Sequence, residues 1–526
     1  MKRAIPFLLF LIFVCLFCAC SNSELSADNV VGGDEGVENA SLFFSRDSVE
    51  MADTSSVEVD SLEESSSVAN DSLEVSSSSV ENDSLEESSS SDADDSLEVS
   101  SSSVANDSLE VSSSSVADDS LEESSSSDAD ENLCALENLL GKSFISDDFE
   151  KYPYADLPRF VIKTEDDAPI VDRETKVPAT MKLLDEGKCS AVEMKLTIKG
   201  RGNSSWTDMP KKSYKLEFQN KESFFGFPKD RDWALIANYA DRSLMRNYLV
   251  YNLSASLSMQ YSPRCEFVEV FLNGEYLGVY LLTETVKVAK NRVNIPENEK
   301  SFLVEVDGKS REGEVNISSK MNKHFTIHSP KKPSERVLDL FIGHINEFED
   351  YLKDDQQSKE NIFDDWIDRD TYLAYYWIQE FSKNNDANFF TSVYFTWVDG
   401  GKIMMGPVWD FDLAFGNHTR QERQKPENFY IRNSYWNSYL FNDSSFVSES
   451  KKYWEKHRDV FLTMADSVES LKQRLELAAA NNFKRWDILG STRETCLIKT
   501  YNSYEDAVDD LRSWFMKRYD WINENY

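Results

Sequence analysis

The repeat in the N-terminal part of the chain limits what can fold more than any other feature. Asp-Ser-Leu recurs at Asp60, Asp71, Asp83, Asp95, Asp107 and Asp119, spaced by twelve after the first step, in units resembling DSLEESSSSVAND. A stacking repeat needs roughly 20 residues or more and an apolar face to bury against its neighbours. Each unit here offers one leucine and an occasional valine among serines and carboxylates, too little to offset the entropy of ordering the chain. The repeats therefore read as a disordered Ser/Asp/Glu-rich stalk. Between Arg46 and Asn132 there are 26 acidic residues and one basic residue, which is most of the net charge of -38. Self-repelling carboxylates keep such a segment extended. Its serines read as a plain solvated spacer or, more sharply, as phosphate acceptors. No cluster of Lys and Arg elsewhere is dense enough to displace counterions from nucleic acid, so that partner is excluded.

The first residues, MKRAIPFLLFLIFVCLFCACSN, carry Lys2 and Arg3, an apolar run from Ile5 to Phe17 and small residues before Cys20. That is an export signal over residues 1–20, too short for a comfortable membrane span. Its end, FCAC, resembles a bacterial lipobox with Cys20 as the lipidated residue, so an exported, membrane-anchored lipoprotein, periplasmic or at the outer cell surface, is expected. Export would put Cys134, Cys189, Cys265 and Cys496 in an oxidising compartment, where pairing and free thiols both remain open. The linker then spans residues 21–137 and the folded part 138–526, long enough for a large core.

Within the folded part, LPRFVIKTED (Leu157 to Asp166) and VEMKLTIKGRG (Val192 to Gly202) alternate apolar and polar residues at the strand period. RGNSS then makes a turn, and KKSYKLEF returns to alternation as a lysine-bearing strand. From Asp241 to Leu257 the leucines fall at near-helical spacing, with Asp241 as N-cap. EFVEVFLNGEYLGVYLLTE predicts a hairpin around Asn273-Gly274, with Glu284 at its exit. WIDRDTYLAYYWIQEFSKN predicts an amphipathic helix ending near Asn384. NFFTSVYFTWVDGGKIMMGPVWDFD predicts two strands that deliver Asp410 and Asp412. The closing YEDAVDDLRSWFMKRYDWINENY predicts a helix with Trp514 and Trp521 on its core face.

Carboxylates at i and i+2 of an extended segment point the same way, so Asp410 and Asp412 could share one hard cation. Mg²⁺ takes one or two carboxylates plus substrate phosphates, whereas an arbitrary D-x-D more often caps a turn or pairs with an arginine. The neighbourhood favours the cation. Asp386 lies in the polar loop SKNNDANFF ahead of the two strands, and a loop aspartate, a hairpin and a metal-binding aspartate follow one another in this order in protein kinases. Lys211, Lys212 and Lys215 supply cations upstream, in the order turn, lysine strand, helix, two strands, which is that of a kinase amino-terminal lobe. Neither a G-x-G-x-x-G loop nor a Walker A motif is present, and Asn238 to Tyr261 contains no Glu to partner a lysine. His324 and His328, four apart on a strand, would share one face, with no third ligand nearby.

Taken together, RGNSSW…KKSYKLEF, FVEVFLNGEYLGVYLLTE, GPVWDFDLAFG and LRSWFMKRYDW resemble the CotH kinase family, named for a spore-coat protein and distantly kinase-like. The resemblance spans Leu157 to Trp521. It implies an α+β, atypical protein-kinase-like two-lobe domain, ATP and Mg²⁺ as cofactors, and transfer of phosphate to Ser or Thr of a protein. On matching segments it makes Asp386 the catalytic aspartate, Asp410 the principal metal ligand and Asp412 a second ligand or its support, with Asn388 assisting at the metal. Arg201 and Lys212 would contact phosphates, Lys215 being the alternative on the same strand, and Glu284 would sit near the nucleotide at the lobe junction. The chain's own Ser-rich stalk would be an economical acceptor, tethered to the domain. ATP is scarce outside the cytoplasm, so two other readings stay open for an exported chain: a non-catalytic pseudokinase scaffold, and a surface protein whose aromatic residues stack on glycans.

Overall fold

The computed structural model describes residue 136 and residues 139–185, 188–189, 192–257, 259–308, 313–354, 365–491 and 498–526. The export signal, Cys20 and the acidic repeats lie outside them, as do the side chains of Cys134, Cys189 and Cys496. The fold is mixed α+β. Cys265 is a buried free thiol, its pKa pushed well up by burial.

The alternating segments build one closed sheet. Its strands are β1 (Arg159–Thr164), β2 (Val177–Asp185), β3 (Lys188–Cys189), β4 (Met194–Arg201), β5 (Ser213–Glu222), β6 (Asp230–Ile236), β7 (Cys265–Leu272) and β8 (Glu275–Glu284). They follow the order β1-β7-β8-β6-β5-β4-β2-β3, and a further β1–β2 pairing closes the ring into a barrel. Closure leaves the seven longer strands no free edge, and β3 stands outside the ring, paired only with β2. Strand alternation turns Ile198, Leu216, Phe218, Trp233 and Leu235 inward, where they are buried in one cluster. At the β7–β8 turn Asn273 and Gly274 have φ of 52° and 81°, the left-handed pair that a type I′ hairpin requires.

Two expectations change here. Strand β6 stands between the lysine strand and the helix, so the order is turn, lysine strand, strand, helix, two strands. The helix itself, α1 (Arg246–Ser256), begins later than predicted. Asp241 lies outside it, accepting from the N–H groups of Ser243 (3.0 Å) and Arg246 (2.8 Å) and pairing with the Arg246 guanidinium.

A second sheet has the order β10-β11-β9-β12-β13, with β9 (Ser301–Val306), β10 (Val315–Ser318), β11 (His324–Ser329), β12 (Val393–Val398) and β13 (Met404–Met405). β13 is only two residues long, shorter than the second strand the sequence suggested. A bulge between Ile327 and Ser329 breaks the alternation of β11. His324 is exposed and bonds Ser318, whereas His328 turns to Glu305. Helix α2 (Glu335–Lys353) covers this sheet, and α3 (Arg369–Ser382) runs beneath it, N-capped by Asp368. From Thr371 to Ser382 every residue of α3 is buried, so it is enclosed rather than amphipathic.

Helix α4 (Ser444–Arg485), 42 residues and therefore about 63 Å long, joins the two sheets. Near its start, Trp454 packs on Trp377 of α3 at 4.7 Å, and the Ser450 carbonyl accepts from the Trp377 indole at 3.0 Å. At its end, Asn482 Oδ1 accepts from the N–H of Val279 (3.1 Å) and from Lys211 Nζ (2.9 Å), while Arg485 Nε donates to the Tyr276 carbonyl (3.0 Å). Lys211 is buried, and desolvation pulls its pKa well down. Helix α5 (Tyr504–Asn525) packs along α4 with Trp514 buried and Trp521 partly buried. Its Arg518 donates to Glu380 of α3 at 2.8 Å, both side chains fully enclosed. Glu380 also accepts from the N–H groups of Tyr430, Ile431 and Arg432, and Arg518 also donates to the carbonyls of Pro426 and Asn428.

Two outcomes follow. Replacing Arg518 with Ala strands a buried carboxylate and should cost about 3–5 kcal/mol in urea unfolding. Asn482→Ala removes one of the Lys211 partners and should cost about 1–3 kcal/mol by the same measurement.

Candidate functional site

The outer face of β4, β5 and β6 and the loops of the second sheet enclose a cavity of about 1330 Å³. Lys199 and Arg201 on β4 and Lys215 on β5 lie opposite in parity to the inward Ile198 and Leu216, so all three face this cavity, Lys199 and Lys215 as register partners. Lys215 also pairs with Asp232 at 3.0 Å. Lys212 lies just before β5, does not line the cavity, and donates instead to the Trp206 carbonyl. A Cβ on Gly200 would come within 2.4 Å of the Trp206 ring, so glycine at this position lets the indole lie against β4 at the barrel mouth. The RGNSS turn beyond it is held by Arg173, whose Nη1 donates to the Gly202 carbonyl at 2.8 Å. The Arg201 guanidinium sits 5.3 Å from the centroid of Trp409, which stacks on Tyr251.

Asp386, Asp410 and Asp412 reach the same cavity from the other side. Asp410 is not extended: its φ is 67°, so the i, i+2 argument for a shared direction does not apply. A clamped turn does that work. Asn247 Oδ1 accepts from the Phe411 N–H (2.8 Å), and Asn384, Asn385 and Asn417 donate from Nδ2 to the carbonyls of Asp410 (3.1 Å), Leu413 (2.6 Å) and Asp412 (2.6 Å). Arg246 Nε donates to the Ala414 carbonyl at 3.1 Å. Phe411 between the two aspartates is fully buried and anchors the turn.

Negative charge is concentrated here. Burial raises the Asp410 pKa and Glu305 adds to it, opposed by Arg201 and by hydrogen bonds from Ser392 and Asp412. The Asp412 carboxyl is held well above the usual range by burial first, then by Asp410, Asp386 and Asp241. Burial pulls Arg201 down, against Tyr251 and Asp410. Both aspartates keep some exposure across the cavity yet lie deep, so desolvation dominates.

Glu305 was not anticipated. It is buried at the cavity wall and accepts from Tyr394 Oη (2.7 Å) and from the Ser392 N–H (3.2 Å), with His328 Nε2 at 2.7 Å. An acid inside the apolar run SFLVEV was the signal. Asn247, Tyr251 and Trp409 also line the cavity. Glu284 does not line it: it is enclosed by Tyr261, Arg264 and Arg292. Asn388 is exposed and off the cavity wall.

Among the described residues no group of three or more His, Cys, Asp or Glu is arranged to hold a metal ion. The oxygen donors of Asp410 and Asp412 nevertheless fit Mg²⁺, which needs one or two protein carboxylates when phosphates and water complete its shell. Two buried carboxylates that repel each other are the setting a divalent cation relieves.

A family model described as CotH kinase protein matches residues 198–522, more than half of the chain. Inner spore coat protein H of Bacillus subtilis (strain 168) is 26% identical over 346 residues, covering 62% of this chain and 87% of that protein. The matched region begins on β4 and ends in α5, so it contains Arg201, Lys215, Asp386, Asp410 and Asp412. This chain belongs to the CotH kinase protein family.

Proposed function

We propose that the chain transfers phosphate from ATP to Ser or Thr of a protein, as an exported enzyme anchored through lipidated Cys20. One observation carries the reading: Asp386, Asp410 and Asp412 share a cavity with Arg201 and Lys215, so a carboxylate trio faces cations supplied by another sheet. Phosphoryl transfer asks a protein for positioning and for charge at the phosphate oxygens rather than for covalent chemistry.

In this reading the barrel is the nucleotide-side lobe. Arg201, its guanidinium steered by the Trp409 face, holds phosphate oxygens, and Lys215 adds a second cation from β5. Asp410 and Asp412 would hold Mg²⁺, which when bound neutralises charge on the phosphates. Asp386 accepts the proton of the acceptor hydroxyl. Its loop is fixed from behind, with Asn384 bonding both Asp386 N–H (3.3 Å) and the Asp410 carbonyl, so the base and the ligand turn are held in one register. Acceptors on the same chain, in the Ser-rich stalk, would be present at high effective concentration.

Labelled ATP with Mg²⁺ tests this directly. Wild type should label protein serines, and Asp410→Asn or Asp386→Ala should lower the rate by about 10²-fold or more. Equal rates would overturn the assignment. A thermal shift with an oligosaccharide but not with ATP and Mg²⁺ would favour a glycan binder instead.

Stability gives a second check. With no cation bound, two crowded carboxylates oppose folding at neutral pH, so Asp412→Asn should raise the melting temperature of metal-free protein. The same substitution should remove most of the stabilisation that Mg²⁺ with nucleotide gives wild type. A lower melting temperature in metal-free buffer would count against the electrostatic account.

A further inference from the structure

Phe390 stands apart from the other aromatic residues around the cavity. Among the described residues the exposed large apolar side chains are Leu139, Val171, Val192, Phe390 and Leu477, and of these only Phe390 borders the cavity, with 54% of its surface open. The loop around it is held firmly. Its N–H and that of Thr391 both donate to the Asp386 carbonyl, at 3.3 and 3.4 Å, and its own carbonyl accepts from Gly308 at 3.0 Å. Phe389 is buried against Tyr435 and Trp436 at 5.0 and 5.6 Å, and Lys323 Nζ donates to its carbonyl at 2.8 Å. Phe389 and Ser392 both take left-handed backbone conformations, φ 49° and 58°. Non-glycine residues in that region persist only where their surroundings over-determine them, and such strain gathers at functional sites. Inward anchoring of Phe389 thus turns Phe390 outward, four residues after Asp386.

An apolar ring on the same tied loop as the proposed base, and lining the same cavity, suits an apolar side chain next to an acceptor hydroxyl. This chain repeats that pairing. Ser61, Ser72, Ser84, Ser96, Ser108 and Ser120 are each followed by leucine, in units otherwise made of serine, carboxylates, alanine, asparagine and valine. A solvated spacer has no use for a leucine at every repeat.

We propose that Phe390 is a specificity-determining residue that docks the aliphatic side chain immediately after the acceptor serine, so that the preferred acceptor is an acidic Ser-Leu peptide. The inference rests on the phosphotransfer reading above. Specificity follows from geometry: the ring and Asp386 belong to one tied loop, so seating the leucine sets where the neighbouring serine hydroxyl falls relative to the carboxylate.

The test is a same-tube competition. Full-length protein receives ATP, Mg²⁺ and equal amounts of two synthetic peptides, DSLEESS and DSAEESS. The leucine peptide should be labelled about tenfold faster by wild type, the usual worth of an apolar side chain in its pocket, and the ratio should fall to about one with Phe390→Ala. A ratio that Phe390→Ala leaves unchanged overturns the docking role while leaving phosphotransfer standing. A peptide carrying photoreactive leucine separates the two ideas. A cross-link mapping to residues 386–391 without any transfer keeps the docking role and rejects the kinase reading, whereas neither transfer nor a cross-link there rejects both.

Discussion

Burial of Asp410 and Asp412 together on one cavity is the condition to which the rest of the site is fitted. Taking a carboxylate out of water costs several kcal/mol even after the surroundings relax. A neutral hydrogen bond returns about 1 kcal/mol net, so no single contact could hold the two carboxylates on one cavity. The chain uses several, and they are neutral where they could have been charged: Asn247, Asn384, Asn385 and Asn417 grip the backbone of the turn rather than the carboxylates. Lysines in those positions would cancel the negative charge of the turn. The Arg246 guanidinium, from the helix between β6 and β7, is already paired with Asp241 and meets the turn at the Ala414 carbonyl.

The compensating cation comes from elsewhere. Arg201 belongs to the barrel, so its distance from Asp410 depends on how the barrel sits against the second sheet. Helix α4 sets that relation. Its early turns share a tryptophan contact with α3, the helix that leads into the Asp386 loop, and its last turns bond the backbone of β8. Using Asn482 to satisfy both Val279 N–H and Lys211 Nζ places a polar knot where a merely apolar contact could slide. Barrel closure has the matching effect on the other side, because β4 and β5 cannot splay without breaking the ring.

Legibility in the sequence followed the range of the interactions involved. The β7–β8 hairpin was plain because Asn273-Gly274 encodes its turn locally, and α3 was plain because Asp368 caps a long apolar run. Strand β6 was missed because only Trp233 and Leu235 mark its inward face before α1 begins. The choice between Lys212 and Lys215 needed the strand start at Ser213, which puts Lys212 beyond the ladder beside Trp206 and Lys215 within it. Glu284 looked placed for a ligand at the end of a strand, but Tyr261, Arg264 and Arg292 enclose it, and none of them is near it in sequence.

The Asp-Phe-Asp motif shows why the spacing was informative for a reason other than the one it suggested. An extended D-x-D aims two carboxylates together through strand alternation alone, and any strand would do the same. Here Asp410 is left-handed, Phe411 is fully buried and four asparagine amides fix the turn, so the common direction is built by tertiary contacts. Such contacts are worth their strain only if the carboxylates must stay close, since a turn free to relax would let them part and take up water. Under the proposed function, the cost of holding them together is the physical argument for a cation between them.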